Sequence, residues 1–168
     1  MRILRIILCI TGVILLLTSC NLAPKDYWEY CERDAEVRLF GSMGAISFEA
    51  RAEVFCEEDG GRLFRIHYSA PRGMSGVTCE GRLDRSCGFE DVKVMMEGME
   101  ISCSEEEGRA FLAPILCLFE GGEIQRVERK EGEYRIFLKG GGELCLGERE
   151  GGWFPTYYRG ELLQVNVR

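Results

Sequence analysis

Nine cysteines and a single histidine hold most of the reactive side chains of this 168-residue chain. No two of the cysteines stand in C-x-x-C spacing, which removes zinc ribbons and thioredoxin-type redox chemistry from consideration. The lone histidine, His67, sits among alternating residues on the polar side, opposite Phe64 and Ile66, with no serine or cysteine singled out as a nucleophile for it to activate. Gly140-Gly-Gly142 lacks the spacing and the lysine of a phosphate-binding loop and reads as a turn. Glu105-Glu-Glu107 lacks the fixed ligand offsets of a calcium loop and reads as a solvated charge run. These residue types point to no catalytic constellation, no cofactor and no metal.

The N-terminus carries a different kind of chemistry. Arg2 and Arg5 form a short positive region, and an apolar stretch follows as far as Leu17. At about 15 residues it falls short of the ~20 that a helix needs to cross the hydrocarbon core, and it suits an export signal. It ends in Leu17-Thr-Ser-Cys20, which resembles the bacterial lipobox. That resemblance implies cleavage before Cys20, acylation of its thiol, and retention on the extracytoplasmic face of the cell membrane. Two or three acyl chains, at about 0.8 kcal/mol per buried CH₂, give a stable anchor where one does not. The expected organisation is a signal peptide over 1–19, an acylated cysteine and tether over 20–32, and one domain over 33–168, a size ordinary for a single domain.

Loss of Cys9 with the leader and acylation of Cys20 leave seven cysteines, an odd number, so at least one stays unpaired within a monomer. Cys79 and Cys87 flank an expected turn from Gly81 to Ser86 and are the disulfide pair that spacing singles out. Export permits disulfides, and a reducing habitat leaves the thiols free. The formal charge is −7 overall, and removal of Arg2 and Arg5 leaves −9. Such a balance argues against nucleic acid, which requires clustered Lys and Arg. It also repels the domain from anionic headgroups, so the acyl anchor does the holding and basic proteins or neutral lipid tails are the fitting partners.

The elements that position these residues are strands. Phe48, Ala50, Ala52 and Val54 alternate with Glu49, Arg51 and Glu53, and Phe64, Ile66 and Tyr68 continue as the inward set of a second strand after a Gly60-Gly61 turn. Val92, Val94 and Met96 alternate until Gly98, where the parity switches and a bulge or tight bend is expected. Lys130-Glu-Gly132 joins two further strands as a hairpin, and Leu163, Val165 and Val167 alternate to the last residue. One apolar run interrupts the pattern, and Ala113 to Phe119 is expected as one or two helical turns lying on the sheet, with Pro114 at its start or kinking a longer helix.

The order of these parts is similar to that of the bacterial lipoprotein-carrier superfamily, the LolA-like proteins. The features are a lipobox, a tether, a strongly alternating strand with a hairpin partner, an Ala70-Pro71-x-x-Met74-x-Gly76 loop, a mid-chain apolar helix, and hairpins carrying Gly151-Gly-Trp-Phe-Pro155. The resemblance spans about residues 33–168. It implies a mainly β fold with minor α, a curved antiparallel half-barrel with one or two short helices packed on its concave face. It also implies a non-catalytic lipoprotein that binds either an envelope partner protein or acyl chains. For acyl chains, the lining is expected from Phe48, Ala50, Ala52, Phe64, Ile66, Val94, Ile115, Leu116 and Phe119. A resident tether suits partner binding better than shuttling. Trp153, Phe154, Tyr157 and Tyr158 are expected as a cross-strand aromatic cluster, with an exposed interaction patch as the other reading.

Overall fold

A computed structural model describes residues 27–84, 88–149 and 152–168. The expected signal peptide, Cys20, Cys87 and Gly151 lie outside the described residues.

A 3-10 turn at Glu29–Glu32 opens the described chain. The strands β1 (Ala35–Met43), β2 (Ile46–Cys56), β3 (Arg62–Ala70), β4 (Val77–Leu83), β5 (Phe89–Met96) and β6 (Met99–Ile101) follow as a meander. The helix α1 (Glu105–Phe119) then leads to a second meander, made of β7 (Ile124–Lys130), β8 (Glu133–Leu138), β9 (Glu143–Arg149), β10 (Gly152–Arg159) and β11 (Leu163–Val167). All eleven strands form one antiparallel sheet in the order β6-β5-β4-β3-β2-β1-β11-β10-β9-β8-β7. The sheet is open, with β6 and β7 as its edges, and the two meanders join where β1 pairs with β11, Leu39 opposite Val167 and Met43 opposite Leu163. The fold is therefore the mainly β half-barrel with minor helix that the sequence suggests.

Alternation puts one face of each strand inside. On β2, Phe48, Ala50, Ala52 and Val54 are buried while Ser47, Glu49 and Arg51 face solvent. On the wet face, charges run across the strands as a ladder. Arg51 meets Glu36 at 2.9 Å and Glu53 at 3.2 Å, and Arg65 bridges Glu53 at 3.2 Å and Glu80 at 2.6 Å. Each such exposed pair contributes at most about 1 kcal/mol. Their larger effect is on register, because a one-residue slip would drive this row into the core. The parity switch at Gly98 is a tight turn: Glu97 and Gly98 both have positive φ, and Met96 pairs directly with Met99. Glu131 and Gly132 make the same two-residue turn between β7 and β8.

The helix is longer than the run of apolar residues suggested, beginning eight residues before Ala113. Ser104 caps it: its side chain accepts from the Glu107 amide while the Glu107 carboxylate accepts from the Ser104 amide. This reciprocal pair satisfies two donors that the first turn would otherwise leave bare. It also holds the Glu107 carboxyl below its ordinary pKa, through its bonds with the Ser104 backbone and hydroxyl. Pro114 lies inside the helix and is buried. Two glycines set the distance between helix and sheet. A Cβ at Gly81 on β4 would lie 2.6 Å from Leu112 Cδ1, and one at Gly108 on α1 would lie 2.2 Å from Val92 Cγ1. α1 therefore lies against strands from both meanders, β3, β4 and β5 on one side and β10 and β11 on the other.

Two regions differ from the sequence expectation. Residues 35–43, given no strand by the sequence, are β1, because Val37 and Leu39 point inward between Ala52, Ala50 and Val167. Gly81 to Leu83, expected as part of a turn, belong to β4, with Gly81 and Leu83 buried. Tyr27 to Glu32, which the sequence leaves open as a short helix or a first contact with the domain, include the 3-10 turn, and Tyr27, Tyr30 and Cys31 belong to the same core cluster as the strands.

Candidate functional site

The nine residues expected to line an apolar concavity do come together, and they fill it. Phe48, Ala50, Ala52, Phe64, Ile66, Val94, Ile115, Leu116 and Phe119 all belong to one buried cluster, none more than 5% exposed. Ala52, Phe64, Ile66, Ile115 and Phe119 have no accessible surface, so no water-sized void touches them. Tyr68 anchors the centre. Its ring meets Phe48 edge-on at 6.0 Å and Phe111 at 6.4 Å, and its hydroxyl donates to the Phe111 carbonyl at 2.6 Å. A buried phenol with a satisfied hydroxyl fixes the helix in one position over the sheet. The small side chains at 50 and 52 leave room for side chains of the protein itself.

An open concavity lies at one end of the half-barrel, beyond the C-terminus of α1. It is a cleft of about 690 Å³ between the 3-10 turn, the β2–β3 hairpin and the loop after the helix. Trp28, Cys31 and Glu32 form one wall, Cys56, Glu57 and Arg62 the second, and Glu120 with Gly121 and Gly122 the third. The last carbonyls of the helix have no partners within the helix itself. Tyr30 donates its hydroxyl to the Leu118 carbonyl at 2.6 Å, and Arg62 donates to Phe119 and, at 3.4 Å, to Glu120. The guanidinium thus sits at the negative end of the helix dipole, where a cation is stabilising. Glu57 is engaged by Arg82 at 2.6 Å and Glu120 by Arg109 at 2.7 Å. Exposed Glu32 adds a third carboxylate to the lining.

Aromatic packing ties this end together. Tyr30 meets Phe119 at 5.5 Å and Phe154 at 6.0 Å, and Tyr134 meets Trp153 at 4.4 Å and Tyr27 at 5.1 Å. Trp153 and Phe154 are therefore cluster residues, as the preferred sequence reading holds, and Tyr158 packs against the core as well. Tyr157 receives an Arg159 hydrogen bond at 2.8 Å.

Burial raises the pKa of the Cys31, Cys56, Cys79, Cys117 and Cys145 thiols. Burial pushes Cys31 up to about 11, and burial with the nearby Asp34 carboxylate raises Cys56. Cys79 lies beneath the helix with its Sγ 3.5 Å from the Gly108 carbonyl, and burial pushes it to about 12. Its expected partner, Cys87, lies outside the described residues. His67 is on the wet face with Nδ1 2.9 Å from Thr78 Oγ1, far from the cleft lining. The cleft lining thus holds three carboxylates, two of them already paired with Arg82 and Arg109, beside the Arg62 guanidinium. Sequence reasoning missed Trp28, Tyr30, Glu32 and Arg62 as site residues. The density of aromatics in Tyr27-Trp-Glu-Tyr30 was the available signal.

Among the described residues, the fold and site define an open eleven-stranded antiparallel half-barrel, filled from within by its own helix and carrying an open cleft at one end. Comparison with family models, with curated proteins and with solved structures finds no match for this chain.

Proposed function

We propose that this chain is a non-catalytic lipoprotein, anchored through acyl chains on Cys20 at the extracytoplasmic face of the cell membrane. Its LolA-like domain binds a basic segment of an envelope partner protein in the end cleft. The observation that carries this reading is the filled concave face. Acyl-chain carriage needs enclosed apolar space of several hundred Å³, whereas the inner residues here pack against one another with no accessible surface at Ala52, Phe64, Ile66, Ile115 and Phe119. The exposed carboxylate of Glu32 at the cleft and the net acidity of the chain support a cationic partner through electrostatic complementarity. Six residues separate Cys20 from Tyr27. At no more than about 3.6 Å per residue, the cleft end stays within about 25 Å of the bilayer surface, so the partner is membrane-proximal.

Two measurements test this. Residues 27–168 titrated with a fluorescent fatty acid should show no saturable binding, and micromolar or tighter affinity would restore acyl carriage as the function. A photo-crosslinking residue at Glu32 or Glu57 in the anchored protein should give one discrete adduct in intact membranes. The same residue at Glu97, on the β5–β6 turn at the opposite end of β4 from the pairing of Leu83 with Arg62, should not. Equal adducts from all three positions would reject the cleft as the docking site.

A further inference from the structure

Cys31 and Cys56 are 25 residues apart in sequence and face the same cleft from opposite walls. Cys56 Sγ lies 3.7 Å from the carbonyl oxygen of Cys31, so the sulfur of one already rests against the backbone of the other. The chain on either side is pinned. The Cys56 amide donates to Asp34 Oδ1 at 2.7 Å, and Ala35 pairs with Val54 in the β1–β2 ladder. Arg62, the direct cross-strand partner of Cys56, is also in electrostatic contact with the Cys31 thiol. Segment 27–31, by contrast, is held by side chains to α1 and to the second meander: Tyr27 on Tyr134, and Tyr30 on Phe119 and Phe154.

We propose that Cys31 and Cys56 form a reversible disulfide that fastens the segment leading to the membrane anchor onto β2 and fixes the width of the cleft. The oxidant is a protein or small-molecule disulfide. Cys56 is the more exposed thiol, and its thiolate attacks one sulfur of that disulfide, giving a mixed disulfide and releasing the first thiolate. The Cys31 thiolate then attacks Cys56 Sγ, forming the Cys31–Cys56 bond and expelling the second. The two thiols lose two protons and two electrons, and the oxidant leaves as two thiols. Formation of the bond in cells rests on the reading of the chain as exported; the geometry of the pair does not.

The test uses the full acylated chain in detergent, equilibrated in mixtures of oxidised and reduced glutathione, quenched with acid, alkylated and digested without reduction. The expected product is a Cys31–Cys56 linked peptide that increases with the oxidised fraction and exceeds every other pairing. Oxidation should raise the melting temperature by several degrees. That increase should vanish in Cys56→Ser and Cys56→Ala and persist in Cys79→Ser. Recovery of Cys56 only as a glutathione adduct, or of Cys79–Cys103 as the main link, would overturn the proposal. Alkylation trapping in intact cells separates the two ideas. A linked pair there supports both. A pair that links in glutathione but stays fully reduced in aerated cells overturns formation of the bond in the cell, whereas a Cys20 that carries no acyl chains overturns the exported reading.

Discussion

Substitution of Gly108 by alanine distinguishes a helix locked onto the sheet from one that lifts as a cover. In the interior of an exposed helix the change from glycine to alanine stabilises by about 1 kcal/mol. At this position the new Cβ would stand 2.2 Å from Val92 Cγ1 and 3.2 Å from Val92 Cβ. Val92 is β-branched and stiff about χ1, so the strain cannot be relieved by a free rotamer change. Overpacking of this kind costs about 1–3 kcal/mol. The expected net effect of Gly108→Ala is a destabilisation of about 1 kcal/mol, a fall in Tm of about 3–4 °C for a domain of this size. In a Val92→Ala background the 2.2 Å clash with Cγ1 is gone, and the nearest neighbour of the new Cβ is the retained Cβ of residue 92 at 3.2 Å, a contact relieved by a shift of a few tenths of an ångström. There the helix preference wins, and Gly108→Ala should stabilise. Denaturant unfolding of the two single variants, the double variant and the parent gives a coupling energy of about 2 kcal/mol. Stabilisation by Gly108→Ala in the parent would show that α1 moves off the sheet at little cost, and the argument for a filled concave face would fail.

Phe48→Asp places a charge on the buried face of β2 and should cost more than about 4 kcal/mol, whereas Glu49→Lys, one residue further on, should stay within about 0.5 kcal/mol; similar melting shifts for both would contradict the observed faces. Tyr30→Phe keeps the ring contacts but leaves the Leu118 carbonyl without its donor, so a loss of about 1–3 kcal/mol is expected in urea unfolding, and a neutral effect would refute that role. Under reducing conditions, stability should be full below pH 9 and fall as pH rises from 9 to 11. Burial holds protons on Cys31 and Cys145 up to about 11 and on Cys79 to about 12, while the unfolded chain releases them near 9. Each group contributes about 1.4 kcal/mol per pH unit in that window, and a urea midpoint flat from pH 8 to 10.5 would reject the burial of these thiols.

Strand alternation was legible wherever one face is charged. Glu49, Arg51 and Glu53 mark the wet side of β2 so plainly that its inward set follows residue by residue. β1 escaped notice because its second half, Phe40-Gly-Ser-Met43, carries no charge to mark a face, and its neighbours in the sheet are assigned only by folding. The helix start was written in Ser104-x-x-Glu107, but Pro114 left open a start at that proline or a kink in a longer helix, and Gly108 is a poor helix former. Both are tolerated for reasons that live in tertiary structure: Gly108 is where the helix touches Val92, and Pro114 is buried among the residues that hold α1 in place. All nine residues of the expected apolar lining are buried, yet a sequence of inward residues cannot tell a filled face from a hollow one. That distinction depends on how far the helix descends, and the descent is set by glycines at 81 and 108. The cleft was invisible for a further reason. Its walls come from three segments that meet only in the folded chain, around residues 30, 60 and 120.

The seam between β1 and β11 has a consequence for how the chain reaches this structure. Every other pairing in the sheet joins strands consecutive in sequence and can form as a local hairpin. Across the seam, Asn166 donates its side-chain amide to the Phe40 carbonyl over 126 residues of chain, and the Arg38 and Arg168 backbones bond to each other. Closing so long a loop is entropically costly and is rewarded only when both flanking strands already exist. The two meanders are thus suited to collapse as separate units, with the α1 segment between them as a hinge. Zipping of the central seam then commits the molecule. Until that step each half presents an unpaired strand, β1 in one and β11 in the other, and these are the points at which two unfinished molecules would recognise each other instead of themselves.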